Sequence, residues 1–126
     1  EYAEKRPPLR IKGVTLFRDR DELYKRVNKR TRQMFQQGLI PEVISILARG
    51  YHADLLPFES LAYKEALQFL RREISFDDAV FRAQQGTRNY AKRQLTWLRT
   101  LPYSVNVDIS GKSFEENEKM VLKALL

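Results

Sequence analysis

An arginine stands among apolar residues in the helix that the sequence predicts for residues 21 to 37. Leu23, Val27, Arg30 and Met34 are spaced 4, 3 and 4 residues apart, which places them on one face at 3.6 residues per turn. The spacing therefore predicts that Arg30 faces inward. A buried guanidinium must be paired, and its planar fork suits a carboxylate or a phosphate equally well. Two interpretations remain open for Arg30, a structural ion pair and a diphosphate ligand.

A second signal lies in the helix predicted from residue 75 or 76 to residue 99. No aspartate or glutamate occurs between Ala79 and Leu101. Two rows flank its apolar face, a basic row of Arg88, Lys92 and Arg99 and an aromatic and basic row of Tyr90, Arg93 and Trp97. Uncompensated cations attract a phosphate backbone, and aromatic faces stack on bases. The pattern indicates nucleic-acid binding, with an ordinary solvated surface helix as the alternative.

Two other features carry no predicted chemistry. Ser110-Gly-Lys-Ser113 follows a predicted strand, but a phosphate-binding loop of the G-x-x-x-x-G-K-[ST] type needs glycine where Asn106 stands. Ser113 is explained as a helix cap. His52 is the only histidine and cysteine is absent, so no metal ligand is predicted in this sequence.

Composition limits the class of protein. The 126 residues suffice for one domain, and a formal net charge of +7 favours polyanionic partners. The absence of cysteine fits a reducing compartment, and no apolar run reaches the length of a membrane span. We therefore expect a cytoplasmic protein without a membrane segment.

The predicted elements form a mostly helical α/β arrangement of two strands and about five helices. Residues 1 to 8 end in Pro7-Pro8 and read as a linker or truncation point. The predicted elements are a strand over 9–17, a helix over 21–37 that stops at Gly38, a helix from Pro41 to Gly50, a helix over 58–71, the helix ending at Arg99, a strand over 103–109 and a final helix from Ser113. Gly86, inside the fourth helix, indicates a close backbone contact or a break. Because two strands do not make a stable sheet, this arrangement is one part of a larger α/β fold.

Three segments, taken in order, resemble the tRNA dimethylallyltransferase (tRNA isopentenyltransferase, IPP transferase) family. They are the pattern Leu23, Arg26, Arg30, Met34, Gly38, Glu42, Val43 and Leu47, the run Glu59-Ser-Leu-Ala-Tyr-Lys-Glu65, and Thr87-Arg88 with Tyr90-Ala-Lys-Arg-Gln-Leu-Thr-Trp-Leu-Arg99. The third string is the most specific because a chance match of that length is improbable. Together they cover about residues 10 to 109 and resemble the C-terminal part of such an enzyme.

The resemblance implies transfer of a dimethylallyl group from dimethylallyl diphosphate to N6 of the adenosine beside the tRNA anticodon, with Mg²⁺ and a P-loop NTPase-like core. It implies that Arg30 holds the diphosphate as a catalytic residue, with Arg26 and Arg88 in support. The tRNA contacts that it implies are Glu59, Ser60, Leu61, Ala62, Tyr63, Lys64, Lys92, Arg93, Gln94, Leu95, Thr96, Trp97, Leu98 and Arg99. The expected partners are tRNA, dimethylallyl diphosphate and the missing N-terminal half of the same enzyme, in a monomer.

Two departures from the family pattern qualify these expectations. The family often has glycine before the tyrosine of the second segment, where this chain has Ala62. The P-loop and the carboxylate proposed as general base lie upstream of residues 9 to 126, so this segment alone is expected to be inactive and to contain no Mg²⁺ ligand. The alternatives are a non-enzymatic basic RNA-binding module and a helical protein-interaction domain.

Overall fold

The computed structural model describes residues 11–102 and 104–126. These residues form two compact units, one made of the described residues up to Asp19 together with Thr96–Leu126, the other of Arg20–Leu95. The predicted linker at residues 1 to 8 lies outside the described residues. Within the described ranges, no helix has the length and apolar character needed to cross a membrane.

The first unit is built on two parallel strands. β1 (Gly13–Phe17) pairs with β2 (Ser104–Asp108) in a register that aligns Gly13 with Ser104 and Phe17 with Asp108. α5 (Phe114–Leu125) packs on both strands. Its N-terminus has the predicted capping box, since Ser113 Oγ accepts the Glu116 amide at 3.2 Å and Glu116 Oε2 accepts the Ser113 amide at 2.7 Å. Both predicted strands and the final helix are therefore confirmed, but β1 begins at Gly13 and β2 ends at Asp108, so residues 11, 12 and 109 of the predicted strands lie outside them.

The second unit begins with one continuous helical stretch. α1 (Arg20–Met34) passes into a π-helical segment, Phe35–Leu39, and then into α2 (Ile40–Ala48). The prediction that Gly38 ends the first helix was wrong, because Leu39 and Ile40 keep right-handed helical dihedral angles. A glycine ends a helix when it adopts a left-handed conformation, and Gly38 lies inside the π-helical segment instead.

The predicted helix over residues 58 to 71 is also corrected. Leu56–Glu59 forms a short 3₁₀ turn, and α3 spans only Tyr63–Leu70. Ala62 separates them with φ 73° and ψ −35°, which no helix accommodates. The apolar character on every side of this stretch reflects a turn in which Phe58 is buried, followed by a short helix.

α4 (Phe76–Leu98) is the longest element and agrees with the prediction. Ser75 Oγ accepts the Asp78 amide at 3.1 Å and caps the helix. The core of the Arg20–Leu95 unit draws on its first turns and on the elements before it, with Phe76 packing edge-on against Phe35 at 6.0 Å between ring centroids and against Phe69 at 5.6 Å. Its buried members are Phe35, Leu39, Val43, Phe58, Ala62, Ala66, Leu67, Ala79, Val80 and Ala83.

Candidate functional site

Arg30 points toward solvent, so the prediction of an inward guanidinium was wrong. The buried positions around it are Thr31, at 4% relative exposure, and Phe35, at 2%, whereas Met34 is 41% exposed. The buried stripe runs through Thr31 and Phe35, one residue after the predicted positions, because the helix continues past Gly38. Leu39 and Val43 lie beyond the predicted stop, and these two buried residues fix which face is buried.

Arg30 nevertheless lies in a setting that suits an anion. It lines a cleft of about 570 Å³ with Arg26, Lys29 and Gln33. Arg26 is held by Glu22 at 3.2 Å on the same helix. Among the residues that the structure describes, none forms an ion pair or hydrogen bond with the Arg30 side chain. The structural ion pair considered for Arg30 is therefore not formed within this part of the chain, and its guanidinium is accessible to a ligand.

A second cleft, of about 410 Å³, extends from Arg30 along the π-helical segment to Glu42 on α2. Its other lining residues are Gln33, Met34, Gln37, Gly38 and Leu39. Twelve residues separate Arg30 from Glu42, which corresponds to roughly 18 Å of helix at 1.5 Å per residue. Glu42 is therefore too distant to neutralise Arg30, and the cleft is cationic at one end and amphipathic along its length.

Asn28 connects α1 to α4. Its Oδ1 accepts a hydrogen bond from Arg88 Nη1 at 2.6 Å, and its backbone carbonyl accepts one from Gln84 Nε2 at 2.9 Å. A further exposed contact joins Arg32 to Asp77 at 3.3 Å. Arg88, expected as a supporting ligand residue, is thus engaged in holding α4 against the helix that bears Arg30. Asn28 was not singled out from the sequence, because a lone asparagine on a helix carries no signal of its partner.

The acid-free part of α4 presents most of its expected tRNA-contacting residues to solvent. Arg88 is half-buried, as are Leu95 and Leu98. The exposed residues are Lys92, Arg93, Gln94, Thr96, Trp97 and Arg99, of which Trp97 is 63% exposed. Within α4, the guanidinium of Arg93 lies 5.9 Å from the centroid of the Tyr90 ring. Most of the Trp97 side chain is therefore accessible to solvent.

The segment from Glu59 to Lys64 contacts α4 at Gly86. A Cβ placed on Gly86 would lie 2.7 Å from Leu61 Cδ2, so glycine permits the two elements to approach this closely. Gly86 therefore marks a close contact, as one of its two interpretations stated, and α4 continues through it. This contact brings the second and third segments of the resemblance together in the Arg20–Leu95 unit.

The backbone conformation of Ala62 is one that glycine adopts more easily, at the position where the family often has glycine. Its φ of 73° lies in a region that a residue with a Cβ occupies at a cost of about 1 to 3 kcal/mol. Its amide donates to Glu65 Oε2 at 2.9 Å, which helps to hold the turn. Glu59, Ser60, Leu61 and Lys64 are exposed around it, with Lys64 paired to Glu59 at 3.3 Å.

Tyr63 joins this segment to α2. Its hydroxyl donates a hydrogen bond to Glu42 Oε1. This hydrogen bond, with partial burial and the negative charge of Glu42, raises the pKa of Tyr63 above its ordinary value of 10.0. Tyr63 therefore stays protonated at neutral pH and keeps its ring fixed beside Phe58, whose centroid is 6.2 Å away.

The residues described contain no preformed cluster for the Mg²⁺ implied by the resemblance. In residues 11–102 and 104–126, no three His, Cys, Asp or Glu side chains gather in a way that would hold a metal ion. Mg²⁺ that acts on phosphorylated substrates is usually held by one or two carboxylates together with the phosphates and water. The described part of the chain therefore identifies no ligand for this ion.

Comparison with known proteins identifies the family. A family model described as "IPP transferase" matches residues 1–101. The tRNA dimethylallyltransferase of Solibacter usitatus is 48% identical over 103 residues, which are 82% of this chain and 34% of that protein. The corresponding enzyme of Acetivibrio thermocellus is 39% identical over 126 residues, covering 96% of this chain and 38% of that protein.

Solved structures agree with these relatives. The full-length tRNA isopentenylpyrophosphate transferase from Bacillus halodurans superposes with a TM-score of 0.77 and 30% identity, covering 90% of this chain and 39% of that one. The tRNA delta(2)-isopentenylpyrophosphate transferase from Staphylococcus epidermidis gives a TM-score of 0.72 at 27% identity, covering 87% and 36%. The chain thus spans little more than a third of the length of the proteins that it matches. The match to the family model over residues 1–101 shows that the chain belongs to the IPP transferase family.

Proposed function

We propose that this chain supplies the diphosphate-binding arginine and part of the tRNA-binding surface of a tRNA dimethylallyltransferase. In the full-length protein, the reaction moves a dimethylallyl group from its diphosphate to N6 of the adenosine next to the anticodon, in the cytoplasm. Residues 9 to 126 form the C-terminal part of its catalytic core. The P-loop NTPase-like half, the general base and the Mg²⁺ ligands belong to the rest of the protein.

The observation that carries the proposal is the pairing of an accessible cation with an acid-free helix. Arg30 is exposed in a cleft that it shares with Arg26 and Lys29. Asn28, two residues before Arg30, holds Arg88 of α4 through a hydrogen bond of 2.6 Å. The residues for the two expected anions, diphosphate and RNA, therefore lie on two helices that are fastened to each other.

Arg30 would act electrostatically. As the bond between the allylic carbon and oxygen breaks, negative charge accumulates on the departing diphosphate. A guanidinium beside the departing group stabilises that charge more in the transition state than in the ground state, which accelerates the reaction rather than merely improving binding. Its planar fork can donate two parallel hydrogen bonds to the phosphate oxygens.

The test is Arg30→Ala in the full-length protein. We expect kcat for prenyl transfer to fall about 100- to 1000-fold, which is typical for loss of one preorganised donor, while the Kd for tRNA stays unchanged. Arg32→Ala is the matched control, because Arg32 is an exposed arginine on the same helix that pairs with Asp77 instead. Equal losses of prenyl transfer and tRNA affinity in Arg30→Ala would assign the residue to structure.

The alternative, a basic RNA-binding module without catalysis, is favoured only by the acid-free stretch of α4. Both functions predict tRNA binding that weakens steeply with salt, because phosphate contacts release counterions. We expect Arg93→Gln to reduce the slope of log Kd against log salt by about one. Prenyl transfer by the full-length protein separates the two functions, and RNA binding without transfer would favour the alternative.

A further inference from the structure

An apolar pocket of about 450 Å³ opens beside the Glu59–Lys64 segment in the Arg20–Leu95 unit. It is lined by Ile46, Tyr51, Leu55, Pro57, Phe58, Ser60 and Tyr63. None of these side chains is charged, and three are aromatic. The volume lies in the range of roughly 300 to 1000 Å³ that is usual for sites that enclose a small ligand or a single chemical group.

The aromatic wall is held in place before any ligand arrives. Phe58 is buried at 4% exposure and packs edge-on against Tyr63. The Tyr63 hydroxyl is fixed by Glu42. Tyr51, by contrast, is 56% exposed, so its ring is available to a ligand. A fixed wall and an accessible ring suit a flat aromatic group, because little side-chain entropy is lost when such a group stacks.

The rim of the pocket lies next to the cationic helix. Ser60 lines the pocket, and its neighbour Leu61 contacts α4 at Gly86. Lys92 and Arg93 are exposed and follow Gly86 by six and seven residues, which is roughly 9 to 11 Å along the helix. A nucleic-acid strand whose phosphates contact these cations therefore passes within reach of the pocket.

We propose that this pocket receives one unpaired nucleobase of the RNA whose phosphates contact α4, with Tyr51 stacking on its face. The inference rests on the proposed function and names a base-binding site within the tRNA interface. Unpaired bases are the parts of RNA that proteins take into aromatic pockets. A dimethylallyl diphosphate fits this pocket less well, because its lining contains no cation for the diphosphate.

The test uses the full-length protein and a synthetic anticodon stem-loop RNA, with affinity measured by fluorescence anisotropy. Tyr51→Leu removes the ring and keeps an apolar lining, so we expect its affinity to fall about 5- to 150-fold, the range for one stacked base. Tyr51→Phe keeps the ring and should bind like the wild type. Leu56→Ala is the control, because Leu56 is 85% exposed on the same loop and does not line the pocket.

A set of stem-loops that each lack one unpaired base identifies the occupant. At one position, removal of the base should make the wild type and Tyr51→Leu bind equally, because the same contact is lost by either change. The inference is overturned if Tyr51→Leu has no effect, or if it lowers affinity by the same factor for every abasic RNA. It is also overturned if only the KM for dimethylallyl diphosphate rises, since the prenyl group would then be the occupant.

The outcomes separate this inference from the proposed function. If the wild-type protein transfers the prenyl group but Tyr51→Leu lowers the affinity for every abasic RNA by the same factor, the base pocket is rejected and the proposed enzyme function stands. If removal of one base makes the wild type and Tyr51→Leu bind equally, but the protein transfers no prenyl group, the base pocket is supported and the proposed enzyme function is rejected in favour of RNA binding alone.

Discussion

Substitution of Gly86 by alanine tests the contact between α4 and the Glu59–Lys64 segment. A Cβ at this position would lie 2.7 Å from Leu61 Cδ2, which is closer than two carbon atoms approach. Alanine should stabilise the helix by about 1 kcal/mol relative to glycine. Against that gain, Leu61 is 42% exposed and can turn away at a cost of roughly 0.5 to 1.5 kcal/mol. The two effects nearly cancel, so Gly86→Ala alone should change the free energy of unfolding by less than about 1 kcal/mol.

The Leu61→Ala background separates the two effects. Without the Leu61 side chain, the clash is removed and Gly86→Ala should stabilise by the full helix propensity, about 1 kcal/mol. Chemical denaturation of the four proteins of this double-mutant cycle measures the coupling, which we expect to be about 0.5 to 1.5 kcal/mol. Identical effects of Gly86→Ala in both backgrounds would refute the contact. Because Leu61 is displaced in the single variant, tRNA affinity should fall there although stability is nearly unchanged.

Three other predictions concern individual hydrogen bonds. Asn28→Ala removes the acceptor that lies 2.6 Å from the Arg88 guanidinium, so it should lower the free energy of unfolding by about 1 to 2 kcal/mol. If urea denaturation gives the variant the same stability as the wild type, Asn28 does not anchor α4. Tyr63→Phe should lower the free energy of unfolding by about 1 kcal/mol at neutral pH, because the hydrogen bond to Glu42 is lost. Folding raises the pKa of Tyr63, so this stabilisation is fully present below the unfolded pKa of 10.0 and is lost as the pH rises through the folded pKa. A difference between wild type and Tyr63→Phe that is constant across that pH range would count against the hydrogen bond to Glu42. Hydrogen bonds from the Ser110 hydroxyl and amide lower the pKa of Asp108, so Ser110→Ala, which removes the hydroxyl, should raise that pKa. A carboxyl ¹³C NMR titration that gives the same Asp108 pKa in both proteins would show that the hydroxyl does not lower it.

The long helix was predictable because its signals are local. Ser75 and the acidic residues after it predict the start of α4, and the apolar spacing continues to Leu98. The two strands, though not their pairing, and the capping box at Ser113 carry equally local signals. Each of these elements is specified by residues a few positions apart, which is the range that a sequence pattern reports.

The face of the first helix was not predictable in the same way. Gly38 carries a strong local stop signal, yet the packing of Leu39 and Val43, at 4% and 0% exposure, continues the helix through it. Once the helix continues, the buried row passes through Thr31 and moves Arg30 to the surface. Tertiary packing overrode a local preference, so the spacing argument gave the direction of Arg30 incorrectly, while the diphosphate-binding role that the resemblance implies for it stays a prediction.

The apolar pocket could not be predicted from the sequence either, because its lining residues come from separate elements. Tyr51 and Leu55 come from a loop, Ile46 from a helix and Tyr63 from the start of another. Ala62, with its positive φ, turns the chain between Ser60 and Tyr63, which both line the pocket. Alanine does not signal such a turn, whereas glycine at this position would have done so.

The π-helical segment Phe35–Leu39 keeps the buried residues of α1 and α2 on one face of the continuous helix. Thr31, Phe35, Leu39 and Val43 recur every four residues, and in a regular α-helix each such step rotates by about 40°, so the row would turn by about 120° around the axis. All four are nevertheless buried, at 4% exposure or less, because the wider turn of the π-helix takes up the excess rotation. Loss of a single residue such as Gln36 would leave eleven steps between Thr31 and Val43, which in a regular α-helix is about 1100°, or about 20° beyond three full turns. The π-helical segment therefore accommodates one extra residue while it keeps Val43 on the buried face.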